Sequence, residues 1–217
     1  MRRLNLVFDM DGLLIDSLPG LANAMVGSVK SLLGDESSME SFIDFDFNNP
    51  GMSRFEKIDW ALDESGLVET KRSKAREDCI KAFDRLSLEA RIEADLDSHV
   101  FMFSKLENTE LSVLSNCDNR ILPTVIAHHG LSKIFGGRLF GTPPGKRDTL
   151  KKFLSTPGKQ GERFIFISDS ESDFEVAEDC GVDFAYIKRF ARSIEVPDAM
   201  ERTGFESLRD FYETLSS

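Results

Sequence analysis

The first twelve residues constrain the fold more than any other stretch of the chain. An apolar run over residues 4–8 ends in Asp9 and Asp11, which are one residue apart and are followed by Gly12. The run has the length and the side chains of a buried strand. Open α/β sheets bind ligands just beyond the carboxyl ends of their strands. The stretch therefore predicts either a ligand site at a strand end or only a turn, since Asp and Gly are also common in turns.

Hydrophobic periodicity divides the chain into a helical stretch and an alternating one. Residues 17–90 carry apolar side chains at steps of three and four, which is typical of amphipathic helices, and contain no convincing strand. From residue 95 onwards short apolar strands alternate with helices, which indicates a parallel sheet covered on both faces. We therefore predict an α/β protein. Its Rossmann-like parallel sheet core comprises residues 1–15 and 91–217, and residues 16–90 form a small inserted α-helical domain.

Local signals place the helices of the inserted domain. Ser17 is expected to cap the first helix, and residues 35–52 are expected to form a loop. Ser53 followed by Glu56 has the form of a capping box, which predicts that a second helix begins there. A further helix is expected from about residue 70 to residue 88, from its apolar periodicity.

The composition excludes several classes of protein. The chain has 217 residues, of which 41% are hydrophobic, and this is enough for the packed core of one or two domains. A formal net charge of -11 argues against a nucleic-acid-binding surface, which needs a basic face. No window approaches the length of an apolar membrane span, so no membrane partner is expected. The three cysteines fit neither a zinc site nor a disulfide framework, which indicates reduced thiols in a cytoplasmic protein. The sequence leaves open whether the chain is a monomer or a homodimer.

Polar side chains recur at the ends of three predicted strands. After Asp9 at the end of the first strand, Ser115 ends the second and Asp169 ends the third, and a lysine lies in the Gly/Pro loop between the last two. The carboxyl ends of parallel strands meet at the same edge of a sheet, so these side chains are expected to lie close together. The predicted site gathers Asp9, Asp11, Ser115, Asn116, Lys146, Asp169 and Asp173.

Several carboxylates in one cleft repel one another unless a cation is present. Ligation by oxygen alone suits a hard ion, so Mg²⁺ is the predicted cofactor. A lysine, a metal ion and backbone N–H groups together can bind a phosphoryl group, and Gly12 lets the backbone approach such an anion closely.

In their order, the four motifs resemble those of the haloacid dehalogenase superfamily of phosphohydrolases. More narrowly, they resemble the phosphoglycolate-phosphatase and β-phosphoglucomutase branch, which carries a helical cap after the first strand. The motifs are D-M-D-G from Asp9, Ser115-Asn116, Lys146, and S-D-S-E-S-D from Ser168. The family usually has glycine where this chain has Ser168, and we expect the change to be tolerated with a shifted backbone.

The resemblance implies a two-step phosphatase mechanism. Asp9 would attack phosphorus and form an aspartyl phosphate, and Asp11 would protonate the leaving alkoxide and later activate water. Ser115 would bind the phosphoryl oxygens with the backbone near Asn116, while Lys146 would neutralise the charge on Asp9 and on the phosphate.

The resemblance also implies a metal site and a substrate class. Mg²⁺ would be held by Asp9, the backbone carbonyl of Asp11 and Asp169, with Asp173 completing the shell directly or through water. The substrate would be a small phosphomonoester, either a sugar phosphate or an acid similar to phosphoglycolate. Arg54, at the start of a cap helix, would contact a second anionic group of the substrate or would be an ordinary surface charge.

Other functions remain open from the sequence. A phosphosugar mutase would use the same residues, and a phosphonatase would need a cap lysine, for which Lys57 is the candidate. A dehalogenase is disfavoured, because such an enzyme has no need of the second acid, Asp11. A binding module without turnover is a further alternative, which the intact catalytic positions disfavour. Trp60 and the Phe-rich segment 42–47 could line a cleft below the cap or pack in its core.

Overall fold

The computed structural model of the chain describes residues 3–50, 52–159, 161–192 and 195–216. It divides into two compact units. The larger comprises Met1–Leu18 and Ala94–Ser217, and the smaller is the continuous segment Pro19–Glu93. The smaller unit therefore interrupts the larger one in sequence soon after its first strand.

The larger unit is built on a parallel sheet of six strands in the order β3-β2-β1-β4-β5-β6. Phe8 at the end of β1 pairs with Val113 of β2 on one side and with Ile167 of β4 on the other. The apolar side chains of β1 are buried on both faces, as expected for the central strand of a covered parallel sheet. The strands are β1 (Leu4–Phe8), β2 (Thr109–Asp118), β3 (Leu139–Thr142), β4 (Arg163–Ser168), β5 (Asp183–Ile187) and β6 (Gly204–Phe205).

The smaller unit is entirely helical over its described residues. Its helices are α1 (Leu18–Val29), α2 (Glu36–Asn48), α3 (Arg54–Glu64) and α4 (Glu69–Glu93), of which α1 begins at the last residue of the larger unit. The predicted capping box is confirmed, because Ser53 Oγ accepts a hydrogen bond from the Glu56 N–H and the Glu56 carboxylate accepts one from the Ser53 N–H.

The prediction of a loop over residues 35–52 is wrong for most of its length, because α2 occupies 36–48. Asp35 caps this helix by accepting a hydrogen bond from the Ser38 N–H at 2.8 Å. Phe42 is completely buried in the core of the unit, which explains why the segment is helical despite its many polar residues. Gly51, within the predicted loop, lies outside the described residues.

Helices pack around the sheet of the larger unit in the alternating order that the sequence predicts. A 3₁₀ helix, Ser98–Lys105, precedes β2, and Asp97 caps it. The other helices are α5 (Leu122–His128), α6 (Ser132–Phe135), α7 (Lys146–Ser155), α8 (Glu171–Cys180), α9 (Asp198–Glu201) and α10 (Leu208–Ser216). Among the described residues, no helix combines the length and the apolarity needed to cross a bilayer.

The two chain segments that join the larger unit to the helical insertion run side by side inside the larger unit. The Asp16 N–H donates to the Asp95 carbonyl and the Asp97 N–H donates to the Leu14 carbonyl, both at 2.9 Å. These bonds fix the segment that follows Asp11, and so they position the first motif from its carboxyl-terminal side.

Candidate active site

Asp9 lies at the carboxyl end of the central strand. Its N–H donates to the Ile167 carbonyl at 2.9 Å. The backbone hydrogen bonding between β1 and β4 therefore continues one residue beyond Phe8, the last paired residue of β1. The Asp9 side chain is almost completely buried. A carboxylate has no role in an apolar core, so its burial here needs a compensating cation.

Lys146 is that cation. It begins α7 after the Gly/Pro loop, and its ammonium contacts Asp9 Oδ1 at 2.8 Å and Asp173 Oδ2 at 2.6 Å. All three side chains are buried. Burial by itself would lower the pKa of Lys146, but the negative charges of Asp173 and Asp9 outweigh this effect and raise its pKa. The structure therefore brings together three residues that the motifs predict for the site.

The fourth motif supplies two of the buried carboxylates and a hydroxyl. Asp169 follows β4 directly, and Asp173 lies in the first turn of α8, which Ser170 caps. Ser168 is completely buried, and its hydroxyl donates to Asp173 Oδ2 at 2.6 Å. Ser168 stays in the regular register of β4, opposite Tyr186, so the shifted backbone expected from the replacement of glycine is not seen.

Gly12 allows the first and fourth motifs to approach each other. It has a φ of +83°, a conformation that residues with side chains rarely adopt. A Cβ at this position would lie 2.8 Å from Asp169 Cγ and 2.7 Å from Leu18 Cδ1. Glycine is therefore required here both for the backbone conformation and for the space that the Asp169 carboxylate occupies.

Asp11 differs from the other carboxylates because it is only half-buried. The Ser17 hydroxyl donates to Asp11 Oδ1 at 2.7 Å, and Ser17 itself is buried. This bond fixes the orientation of the Asp11 carboxyl group at the start of the connection to the helical unit. The sequence predicts Ser17 only as a helix cap, and its contact with Asp11 was not foreseen.

Ser115 lies two residues beyond Val113, which pairs with Phe8, so it belongs to the same edge of the sheet as Asp9. Its side chain is buried, and its oxygen accepts a hydrogen bond from the Cys117 N–H at 3.0 Å. This acceptor bond fixes the hydroxyl oxygen and leaves the hydroxyl hydrogen for a ligand. Asn116 is exposed at this edge.

Asn119 connects the second motif to the loop that carries Lys146. Its side-chain oxygen accepts a hydrogen bond from the Gly141 N–H at 2.8 Å, and its side-chain nitrogen donates to the Pro143 carbonyl. Sequence reasoning did not identify this residue, because an asparagine after a strand is an ordinary turn residue.

Residues proposed for substrate recognition lie in the helical unit. Arg54 forms an ion pair with Asp84 at 3.7 Å and lies over the ring of Phe55. Lys57 is buried and contacts Asp46 at 2.7 Å. Both cations therefore have carboxylate partners inside their own unit.

The aromatic residues of the helical unit pack against one another. Trp60 stacks on Phe45 with ring centroids 4.5 Å apart, and both rings belong to the hydrophobic cluster around Phe42. The structure supports the core alternative for Phe42, Phe45 and Trp60, whereas Phe47 of the same segment is exposed.

The electrostatics of the site indicate an excess of buried negative charge. Burial raises the pKa of Asp9 from 3.8 to about 7, although Lys146 opposes this shift. Burial also raises the pKa of Asp169, and the charges of Asp9 and Asp173 add to the effect. Three buried carboxylates share one buried ammonium, so the site would take up either protons or a further cation.

The residues of the site fit Mg²⁺. Asp169 Oδ1 is buried and has no hydrogen-bond partner among the described residues, which is the state expected of an oxygen that ligates a metal. Within the described part of the chain, no three acidic, histidine or cysteine side chains are already grouped as a metal site. The resemblance implies ligation by Asp9, the Asp11 carbonyl and Asp169, with Asp173 completing the shell directly or through water, and here Lys146 contacts the Asp173 carboxylate.

Comparisons with known proteins identify the family of the chain. A sequence profile of the family described as haloacid dehalogenase-like hydrolase matches residues 6–187. A protein named phosphoglycolate phosphatase from Vibrio parahaemolyticus is 24% identical over 188 residues, which are 81% of this chain and 79% of that protein.

Solved structures of the same kind share the fold over nearly the whole chain. A predicted phosphoglycolate phosphatase from Haemophilus somnus superposes with a TM-score of 0.74 at 19% identity, covering 97% of this chain and 96% of that one. A putative HAD-hydrolase from Bacillus subtilis, described as bound to magnesium, superposes with a TM-score of 0.66 at 17% identity and covers 100% of both chains. The family and the α/β fold predicted from the four motifs are thus confirmed.

Proposed function

The chain belongs to the haloacid dehalogenase-like hydrolase family, and from this membership we propose that it hydrolyses small phosphomonoesters with Mg²⁺ as its cofactor. The observation that carries the proposal is the arrangement around Asp9. A buried carboxylate contacts Lys146 at 2.8 Å, and Asp11, two residues further on, is oriented by Ser17 at 2.7 Å. These are a nucleophile with its cation and a separate acid/base group, which is what phosphoryl transfer to a side chain requires.

In the first step Asp9 attacks the phosphorus atom of the ester. The bond between phosphorus and the ester oxygen breaks, and Asp11 donates a proton to the departing alkoxide. Ser115 and the backbone near Asn116 donate hydrogen bonds to the phosphoryl oxygens, and Lys146 neutralises the charge that Asp9 and the phosphoryl group share.

In the second step the aspartyl phosphate is hydrolysed. Asp11, deprotonated by the first step, accepts a proton from a water molecule that attacks phosphorus. The bond between phosphorus and Asp9 then breaks, which releases inorganic phosphate and restores the Asp9 carboxylate. The exposure of Asp11, greater than that of Asp9, suits a group that must exchange protons with substrate and water.

Asp9, the backbone carbonyl of Asp11 and Asp169 would hold the Mg²⁺, with Asp173 near it. The bound ion would supply positive charge for the carboxylates and for the phosphoryl oxygens. Its presence would favour the ionised form of Asp9, because a nearby positive charge lowers the pKa of a carboxyl group.

We propose that the substrate is a small acid phosphate similar to phosphoglycolate, or a sugar phosphate. The name of the Vibrio parahaemolyticus relative supports the former. The helical unit would act as a cap that selects the leaving group and excludes water during the reaction. Arg54 would contribute to this selection if substrate displaces Asp84 as the partner of its guanidinium.

The burial of Lys57 disfavours the phosphonatase alternative. A Schiff base requires an amine that can reach the substrate, whereas Lys57 is buried against Asp46. We therefore place Lys57 among the residues that hold the helical unit together. The location that we propose is cytoplasmic, because the spacing of Cys79, Cys117 and Cys180 fits no disulfide framework.

Phosphate release from a panel of acid and sugar phosphates tests the proposal. The wild-type protein should release phosphate from at least one small ester in the presence of Mg²⁺ and not after its removal with EDTA. The matched control is Asp9→Asn, which keeps the size of the side chain. Release by the wild type that does not exceed release by this variant would refute the proposal. Isomerisation of a hexose 1-phosphate without release would instead identify a mutase.

A further inference from the structure

Ser168 is the one position of the four motifs where this chain departs from the family it resembles, and the structure shows what the added hydroxyl contacts. Ser168 Oγ donates to Asp173 Oδ2 at 2.6 Å. Lys146 contacts the same carboxylate oxygen, also at 2.6 Å. One oxygen of Asp173 thus has two short partners, and a glycine at position 168 would leave it only Lys146.

The contacts of the hydroxyl show which carboxylate it serves. Ser168 Oγ also lies 3.5 Å from Asp9 Oδ2 and accepts a long hydrogen bond of 3.4 Å from the Ser170 N–H. A hydroxyl has one hydrogen to donate, and the 2.6 Å contact with Asp173 is by far the shortest of the three. The hydrogen is therefore committed to Asp173 rather than to Asp9.

This commitment affects how the site divides its charge. Asp173 Oδ2 is satisfied by Ser168 and Lys146 and is buried, so it gains little by moving to another cation. Asp169 Oδ1, in contrast, has no hydrogen-bond partner among the described residues. With Asp173 held by the hydroxyl, Lys146 can also contact Asp9 at 2.8 Å, which places its positive charge beside a carboxylate proposed to ligate the metal.

We infer that Ser168 is a positioning residue that keeps the Asp173 carboxylate out of the metal shell and thereby weakens the binding of Mg²⁺ at this site. The inference rests on the proposed Mg²⁺ site. Without the hydroxyl, Asp173 has one donor fewer and draws Lys146 away from Asp9. Both changes leave more negative charge for the metal ion. The chain therefore needs a higher concentration of free Mg²⁺ than it would with glycine at this position.

Titration calorimetry with Mg²⁺ on the substrate-free protein tests this inference without any need for turnover. Ser168→Gly and Ser168→Ala should each bind Mg²⁺ about tenfold more tightly than the wild type, the effect expected for one hydrogen bond to a charged group. The matched control is Ser172→Ala, which removes an exposed hydroxyl from the first turn of α8 and should leave the affinity unchanged.

Asp173→Asn supplies a second test, and its measurement in the wild-type background does not depend on the folding of the Ser168 variants. In the wild-type background it should change the Mg²⁺ affinity by less than about threefold. A change of this size is expected when the charge removed lies near the metal ion, does not ligate it and is partly screened. In the Ser168→Gly background it should remove the gain in affinity. A loss of Mg²⁺ affinity of more than about tenfold in the wild-type background would overturn the inference, because a loss of this size indicates that Asp173 already ligates the metal.

The remaining outcomes also decide the matter. Unchanged or weaker Mg²⁺ binding in both Ser168 variants overturns the inference. A failure of both the wild type and the variants to bind Mg²⁺ also overturns it. In activity assays, the Mg²⁺ concentration for half-maximal rate should fall in Ser168→Gly while the KM for substrate stays constant, a separation that general destabilisation would not produce. If the wild type binds Mg²⁺ but releases no phosphate, the proposed function is refuted. The calorimetric comparison of the Ser168 variants with the wild type still decides the role of Ser168.

Discussion

Replacing the proposed nucleophile should make the metal-free protein more stable. Asp9 is buried in a site with two other buried carboxylates and one buried ammonium, and its pKa is raised from 3.8 to about 7. Burial is the largest cause of this shift. An asparagine at this position has nearly the same shape and no charge to desolvate. Lys146 would lose one carboxylate partner but would keep Asp173 at 2.6 Å.

The magnitude follows from the linkage between protonation and folding. A shift of about three pKa units at about 1.4 kcal/mol per unit gives an upper limit of about 4 kcal/mol. Because the folded state holds the Asp9 proton more tightly than the unfolded state, wild-type stability is lost as the pH rises from about 4 to about 7. The advantage of Asp9→Asn should therefore be near zero at about pH 4, grow through that window and level off above about pH 7.

The assay is thermal unfolding in EDTA, followed by calorimetry or circular dichroism. The single tryptophan, Trp60, lies in the smaller unit, so its fluorescence would report on the wrong part of the chain. For a chain of this size, a gain of 2–4 kcal/mol corresponds to an increase in Tm of roughly 5–15 °C. Asp148→Asn, which removes an exposed carboxylate, should show no gain that depends on pH in this way. A lower Tm for Asp9→Asn at about pH 8, or a gain independent of pH, would refute the reasoning.

Three further substitutions have expected outcomes. Lys146→Met should lower kcat by roughly a hundredfold or more, and it should also lower the Tm in EDTA, because it leaves buried carboxylates without their cation. An unchanged kcat in steady-state assays would contradict this role. Ser17→Ala should lower kcat about tenfold with an unchanged affinity for Mg²⁺ in calorimetry, because only the orientation of Asp11 is lost. Ser53→Ala should destabilise the helical unit by about 1 kcal/mol in urea unfolding followed by Trp60 fluorescence, with the Tm of the larger unit unchanged.

The fold could be predicted from the sequence because its apolar periods are clear. The strand over residues 4–8 and the strand ending at Ser168 are nearly continuous apolar runs, and such runs in alternation with helices define a parallel sheet. The helix α2 was missed because polar residues dominate it, and its helical state depends on the tertiary burial of Phe42 and on the cap at Asp35. The short elements α6, α9 and β6 carry too few residues for a period to be recognised.

The site could be predicted only as a set of neighbours. The rule that parallel strands end at one edge of the sheet places Asp9 near Asp169, and the structure adds which oxygen meets which nitrogen. The sequence does not reveal that Lys146 divides its charge between two carboxylates or that Ser168 is bonded to Asp173. Such contacts depend on side-chain conformations, which a residue pattern does not contain.

The proposed mechanism requires that Asp9 becomes phosphorylated during turnover. The wild-type protein should be mixed with its best substrate and Mg²⁺, quenched in acid within the first turnovers and mapped by peptide mass spectrometry. We expect the peptide containing Asp9 to gain the mass of one phosphoryl group, and we expect no gain in Asp9→Asn or in wild type treated with EDTA. Phosphate release without this label, or a label on a different residue, would show that Asp9 is not the nucleophile.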